Sequence, residues 1–191
     1  SGLNYNRKKI DPPMLKRKYI TFGCFNNYNK ITDQVIDVWS KILNSDKNSK
    51  LMLKSSMNNH STKRLMGKFK SNGVLDSIIF QEREKEFQNH LDLYENIDIA
   101  LDTFPYNGVT TTFEAIFMGV PVLTMCGYNF NSRCGSSINK NLNLDDLIAT
   151  SEDDYIFKAL NLSKDKNQLL KCRDLVFKNC LDSPLFDVED F

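Results

Sequence analysis

A chain of 191 residues, 41% hydrophobic and 26% charged, holds enough apolar material for one sizeable α/β core and has the make-up of an ordinary soluble domain. Its net charge of +1, with both signs interspersed, gives no electrostatic case for nucleic acid or an acidic membrane surface as partner. Five cysteines (Cys24, Cys126, Cys134, Cys172, Cys180) form no CxxC pair and meet only two histidines, which argues against a structural zinc site and for free thiols in a reducing, cytoplasmic setting.

In chain order, residues 1–18 are polar and carry Pro12-Pro13 with the basic runs Arg7-Lys8-Lys9 and Lys16-Arg17-Lys18. They read as a linker or the tail of a preceding domain, in a piece of a longer protein, and residues 19–191 as the folded domain. Tyr19 to Phe25 is a short β-prone run and the expected first strand, followed by the polar loop 26–30. Thr32 caps a helix in which Val35, Ile36, Val38, Trp39, Ile42 and Leu43 recur at helical spacing. Ser49 to Lys54 reads as a second strand, Asn58 to Lys70 as a weaker helix ended by Asn72-Gly73, and Ser77 to Phe80 as a third strand. Glu84 to Tyr94 reads as a helix, Ile97 to Leu101 as the fourth strand, and Thr111 to Met118 as a helix closed by Gly119. Val120 to Met125 is the fifth strand. A loop and helix follow over 131–141, a short element over 144–150, and two helices over most of 152–180. No signal peptide and no apolar run long enough for a membrane span is visible.

Strands alternating with helices over short connections predict a parallel sheet with helices on both faces and right-handed crossovers. In such sheets ligands sit beyond the carboxyl ends of the strands. Loops 26–30 and 103–111 both follow strands and are expected at one edge.

The stretch Leu101-Asp-Thr-Phe-Pro-Tyr-Asn-Gly-Val-Thr-Thr-Thr-Phe-Glu114 carries the strongest chemical signal. It is a strand end, a Gly turn and a hydroxyl-rich helix start, where unpaired N–H groups and the positive end of the helix dipole suit a phosphate. Glu114, one turn in, is within reach of a ribose. A capped helix start without a ligand is the alternative, although three consecutive β-branched residues are mediocre helix formers. The loop is neither a P-loop nor GxGxxG, so ATP hydrolysis and NAD chemistry are poorly supported.

Lys30, on the neighbouring loop, is suited to neutralise a diphosphate and help it depart, and Asn27 to add a neutral hydrogen bond. His90 is either a satisfied, partly buried histidine or a group bonded to or stacked on a nucleotide. His60 is expected to be exposed. Arg133, in Ser132-Arg133-Cys134-Gly135, is either a surface arginine or a contact to phosphate or acceptor. No Asp-x-Asp motif is present to hold a metal, and none is expected.

The runs Phe22 to Ile31, Trp39 with Ile42-Leu43, Asp98 to Gly108, Thr110 to Glu114, Met118 to Val122, Ser132-Arg133 and Ser183-Pro-Leu185 together resemble the C-terminal catalytic half of O-linked N-acetylglucosamine transferases. They also resemble the related SPINDLY-type O-fucosyltransferases. The similarity runs collinearly from about residue 20 to the end. It implies the Rossmann-like, nucleotide-sugar-binding half of a GT-B glycosyltransferase that is inverting and metal-independent, with no cofactor besides a nucleotide-sugar substrate. The donor so implied is UDP-GlcNAc and the acceptors are Ser or Thr hydroxyls of proteins. A GDP-fucose-type donor or a non-catalytic nucleotide-binding module are the alternatives. The resemblance assigns Asn27 and Lys30 to the phosphates, with Lys30 catalytic, and His90 to the base side. Val109, Thr110 and Thr111 fall at the pyrophosphate and Glu114 at the ribose. N-acetylglucosamine members usually carry Gln at the position of Asn27, His at Val109, Asp at Glu114 and often Arg at Leu93. Lys85 is a weak match, because its spacing is off, to a family lysine that precedes the histidine. The resemblance further implies an N-terminal catalytic domain that completes the cleft and tetratricopeptide repeats that bind the protein acceptor, neither of them in these residues. The chain alone is therefore expected to bind nucleotide sugar weakly without turnover.

Overall fold

The computed structural model describes residues 6–55 and 60–186. In chain order the elements are α1 (Met14–Arg17), β1 (Thr21–Cys24), α2 (Asp33–Ser45), β2 (Lys50–Ser55), α3 (His60–Ser71), β3 (Ile78–Glu82), α4 (Phe87–Asp92), β4 (Ile99–Leu101), α5 (Thr110–Phe117), β5 (Val122–Met125), α6 (Cys134–Asn141), β6 (Ile148–Ala149), α7 (Glu152–Lys164) and α8 (Lys166–Asp182). The strands form one sheet in the order β3-β2-β1-β4-β5-β6. All five pairings are parallel, with Phe22 opposite Leu51 on one side and Ile99 on the other. The α/β architecture expected from the alternating pattern is therefore present. The order reverses between β1 and β4, which opens a crevice at their carboxyl ends.

Local sequence explains the individual elements. Thr32 accepts the Val35 amide at 3.3 Å and starts α2, as its side chain predicts. Val35, Ile36, Val38, Trp39 and Ile42 on α2 have no exposed surface. Each large apolar side chain so buried stabilises the fold by about 1.5–3 kcal/mol. Gly73 and Gly119 end α3 and α5 at φ +74, a left-handed conformation that side chains rarely adopt. Gly23, in the middle of β1, leaves room for Ile97, whose Cδ1 would lie 2.1 Å from any added Cβ.

Three elements differ from the sequence reading. The expected helix 84–94 is shorter: Glu86 precedes its first residue, Phe87, and Leu93–Asn96 tightens into a 3-10 turn. The short element over 144–150 divides into a 3-10 turn, Asp145–Leu147, and a sixth strand. That strand forms only because Thr124 and Met125 offer Ile148 and Ala149 a partner. Segment 6–18 is packed against the domain: the Met14 amide donates to Asp98 Oδ1 at 2.9 Å and Arg17 to Asn96 Oδ1 at 2.6 Å. The Asn58 start expected for α3 lies outside the described residues. None of the helices among the described residues is long and apolar enough to cross a membrane.

Candidate donor-binding site

The carboxyl edge of β1, β2 and β4 gathers the residues that the sequence singled out. After β4 the chain turns at Asp102, whose carboxylate is fully buried. It accepts the Gly108 amide at 2.7 Å, the Thr103 amide at 2.9 Å, the Thr124 hydroxyl at 2.8 Å and the Asn26 amide at 3.2 Å. Those bonds draw loop 103–108 down onto the sheet and fix where α5 begins. Burial nevertheless pushes this carboxyl up to about 6, because desolvation outweighs its four donors. Phe104-Pro105 is cis. Asn107 holds the other side of the loop, donating to Thr103 O at 2.8 Å and accepting the Gly135 amide at 3.3 Å.

α5 then starts without a side-chain cap: its N-cap is Val109, which offers none. The threonines therefore sit inside the first turn and not at the cap. Val109 and Thr110 are exposed, while the Thr111 hydroxyl donates to Asn26 Oδ1. A Cβ on Gly108 would come within 2.6 Å of Thr111 Oγ1 and 2.7 Å of Asn26 Oδ1, so glycine is what permits this close turn. An uncapped, exposed helix start with its dipole facing outward is an anion site in chemical terms.

Lys30 lies across from it. It ends the 3-10 turn Tyr28–Lys30, which Asn27 starts by accepting the Asn29 amide at 3.0 Å. Lys30 Nζ donates to Asn107 O at 2.9 Å and stands 4.4 Å from the centre of the Tyr106 ring. The cation is thus held on the 101–108 loop, beside the start of α5.

The second half of the crevice is a polar network. His90 Nε2 lies 2.9 Å from Glu114 Oε2, and the Tyr94 hydroxyl donates to the same oxygen at 2.9 Å. Lys54 Nζ, at the end of β2, is 3.1 Å from His90 Nδ1 and 3.3 Å from Nε2. Nε2 faces a carboxylate and is the ring donor, so Nδ1 is left as acceptor for Lys54. Burial on its own would raise the Glu114 carboxyl, but the hydrogen bonds from His90 and Tyr94, with Lys54 nearby, hold it below the usual range. Burial lowers Lys54, against the pull of Glu114. A groove of about 380 Å³ runs alongside, lined by Phe25, Asn27, Lys54, Lys85, Phe87 and His90.

Of the sequence candidates, Lys30 and Val109 to Thr111 gather at the start of α5, and His90 meets Glu114 one turn further along that helix, where the Tyr94 hydroxyl is also 3.2 Å from Thr111 O. Asn27 lines the groove. Arg133 is exposed and donates to Tyr128 O at 2.7 Å, and His60 is exposed at the start of α3. Sequence reasoning missed Asn26, Lys54, Tyr94 and Asp102. Lys54 ends a strand whose place beside β1 only the sheet order reveals. Asp102 had a signal in its position, a carboxylate directly after an apolar strand and before a Gly turn. Among the described residues no group of three or more His, Cys, Asp or Glu side chains is placed to hold a metal ion.

A parallel sheet with its crevice at the β1–β4 switch and an open helix start above it is the architecture of the C-terminal half of a GT-B glycosyltransferase. The chain belongs to glycosyl transferase family 41, whose family model matches residues 8–191 and so begins within the segment expected to be a linker. It is 35% identical over 186 residues to a barley (Hordeum vulgare) protein named probable UDP-N-acetylglucosamine–peptide N-acetylglucosaminyltransferase SPINDLY, covering 94% of this chain and 19% of that one. It is 29% identical over 175 residues to the Caenorhabditis elegans UDP-N-acetylglucosamine–peptide N-acetylglucosaminyltransferase, covering 90% of this chain and 15% of that one. Among solved structures, a lysine-to-methionine mutant of the Thermobaculum terrenum O-GlcNAc transferase superposes with a TM-score of 0.87 at 29% identity, over 98% of this chain and 35% of that one. The chain thus spans about a fifth of the length of the curated relatives it matches.

Proposed function

We propose that this chain is the donor-binding domain of a glycosyltransferase that moves a sugar from a nucleotide sugar, UDP-GlcNAc, to Ser or Thr hydroxyls of proteins. The observation that carries the reading is the placing of Lys30 beside the uncapped start of α5, with the His90–Glu114 pair one turn along the same helix. In this reading the N–H groups of Val109, Thr110 and Thr111 and the Lys30 ammonium hold the diphosphate. As the glycosidic bond breaks, negative charge grows on the departing diphosphate, and a fixed cation with a helix start stabilises it. Glu114 accepts from the ribose, His90 and the groove beside Phe25 and Phe87 flank the base, and Asn27 adds a neutral donor. The acceptor and the group that takes its hydroxyl proton belong to the larger protein, whose N-terminal domain and tetratricopeptide repeats are part of this proposal. A cytoplasmic location accords with the five free cysteines.

The test is transfer by the full-length enzyme. Lys30→Ala abolishes sugar transfer with a modest loss of folding stability, since the bond to Asn107 O goes with it; retained transfer overturns the role given to Lys30. The 191-residue chain alone binds nucleotide without turnover, and robust transfer by it overturns the division of labour.

A GDP-fucose-type donor is the second reading. It is favoured by Glu114, Val109 and the buried Leu93, at positions where N-acetylglucosamine members usually carry Asp, His and often Arg. A thermal-shift series with UDP, GDP and their sugars separates the two, since stabilisation follows affinity by mass action.

A further inference from the structure

The proposed chemistry leaves one cation of the crevice without a task. Lys54, near the carboxyl end of β2, lines the groove between Phe25 and Phe87. Its Nζ lies 5.6 Å from the centre of the Phe25 ring and 3.1 Å from His90 Nδ1. An ammonium carries three N–H groups and no acceptor. Lys54 spends at most one of them on the imidazole, because Nε2 is taken by Glu114, and its side chain makes no other hydrogen bond among the described residues. Burial lowers this ammonium even with the Glu114 charge nearby, as suits a cation short of partners. The other polar side chains of the groove are less able to read a ligand. Asn27, Arg83, Glu84, Lys85 and Glu86 are exposed, so water screens them and competes for their bonds. His90 is buried, but with both ring nitrogens engaged it offers a ligand only its ring. Lys54 is the half-buried donor with capacity left over.

We infer that Lys54 selects the nucleobase: it donates to the exocyclic keto oxygen that uracil and guanine carry on the edge away from the sugar, and it excludes cytosine and adenine, which place an amino group there. The inference rests on the reading of this edge as the donor site, and it holds for a uridine or a guanosine donor alike. Order along the crevice supports it. Glu114, given to the ribose, is bonded to His90, and His90 in turn meets Lys54. Lys54 lines the groove between the two phenylalanines, so a base that leaves the ribose at Glu114 and enters the groove brings its far edge to the ammonium. A keto oxygen there completes the shell of a half-buried cation. An amino group sets donor against donor and leaves the ammonium unpaired, a difference of about 1–3 kcal/mol for a good base contact. Lys30 cannot supply this choice, because it is held on the 101–108 loop beside the start of α5.

The test is a calorimetric titration of the chain with two matched pairs of diphosphates, UDP against CDP and IDP against ADP. Within each pair the ligands differ only in a keto or an amino group and the adjoining ring proton. In the pair whose ring size the groove accepts, the keto member binds about tenfold or more tighter. Lys54→Met keeps the length of the side chain and removes its donors. It brings the two members of that pair to within about threefold of each other by weakening the keto member. Lys54→Arg restores donors and keeps the preference. Equal binding of UDP and CDP and of IDP and ADP by the unaltered chain overturns the inference and leaves the donor site standing, whether or not either variant folds. Equal losses of both members in Lys54→Met also overturn it, because they mark a lysine that only supports His90. Saturable binding of none of the four diphosphates overturns the donor-site reading itself, and this inference with it.

Discussion

Nε2 of His90 lies 2.9 Å from Oε2 of Glu114, which joins the helix before β4 to the helix after it across the open edge of the sheet. Tyr94 donates to the same oxygen, so both internal bonds fall on Oε2 and leave Oε1 for a ligand hydroxyl. Glu114→Gln keeps the shape and loses the charge. A hydrogen bond to a charged group contributes about 1.5–3 kcal/mol, so nucleoside diphosphate affinity should fall by about tenfold or more, measured by calorimetry. The same substitution changes the pH response of stability. The Glu114 carboxyl is depressed in the fold, so its stabilising contribution is present above the ordinary carboxylate value near ~4.3 and is lost as pH falls through the lower folded value. Urea denaturation should show the gap between wild type and Glu114→Gln closing below about pH 4.

Asp102 runs the other way. Its carboxyl is raised to about 6, so between the ordinary value near ~3.9 and 6 the folded state holds a proton that the unfolded state has lost. Stability should therefore fall as pH rises through that window and level off above it. Asp102→Asn should remove this slope with little net loss. Asp102→Ala strands the Gly108 and Thr103 amides and the Thr124 hydroxyl, and should cost about 2–4 kcal/mol at pH 7 by urea denaturation.

Lys30 is assigned to phosphate and to no part of the nucleoside. Lys30→Ala should weaken UDP or GDP by about tenfold or more and leave the free nucleoside unaffected, by calorimetric titration. Equal losses for nucleotide and nucleoside would place the lysine elsewhere on the ligand.

Gly135 tests how tightly the floor of the site is packed. A Cβ there would lie 2.2 Å from Thr124 Oγ1 and 2.7 Å from Asp102 Oδ2. Gly135→Ala should destabilise by about 1–3 kcal/mol, seen as a lower denaturation midpoint. At Gly67 nothing lies within 4 Å of an added Cβ, so Gly67→Ala in α3 should stabilise slightly.

Much of this was legible in the sequence because it rests on local chemistry. Thr32 marks its helix by the bond it makes, Gly119 marks the end of α5 by its backbone, and the alternation of apolar runs with helical spacing yields a parallel sheet. What was not legible depends on pairing at a distance. Lys54 meets His90 only because β2 lies beside β1, and Asn26 rather than its neighbour Asn27 turns inward to Asp102 and Thr111. The two-residue β6 exists only by leaning on β5, and segment 6–18 is ordered by Asp98 and Phe177, not by any pattern of its own.

The central claim is that the start of α5 holds the donor diphosphate. The most direct measurement is a titration of UDP, and in parallel GDP, into nitrogen-15-labelled chain, following the backbone amide signals of Val109, Thr110 and Thr111. The account predicts that these three amides shift most and saturably with the diphosphate and stay put with the free nucleoside. Saturable shifts elsewhere with these amides unmoved, or no shift with either nucleotide at millimolar concentration, would contradict it.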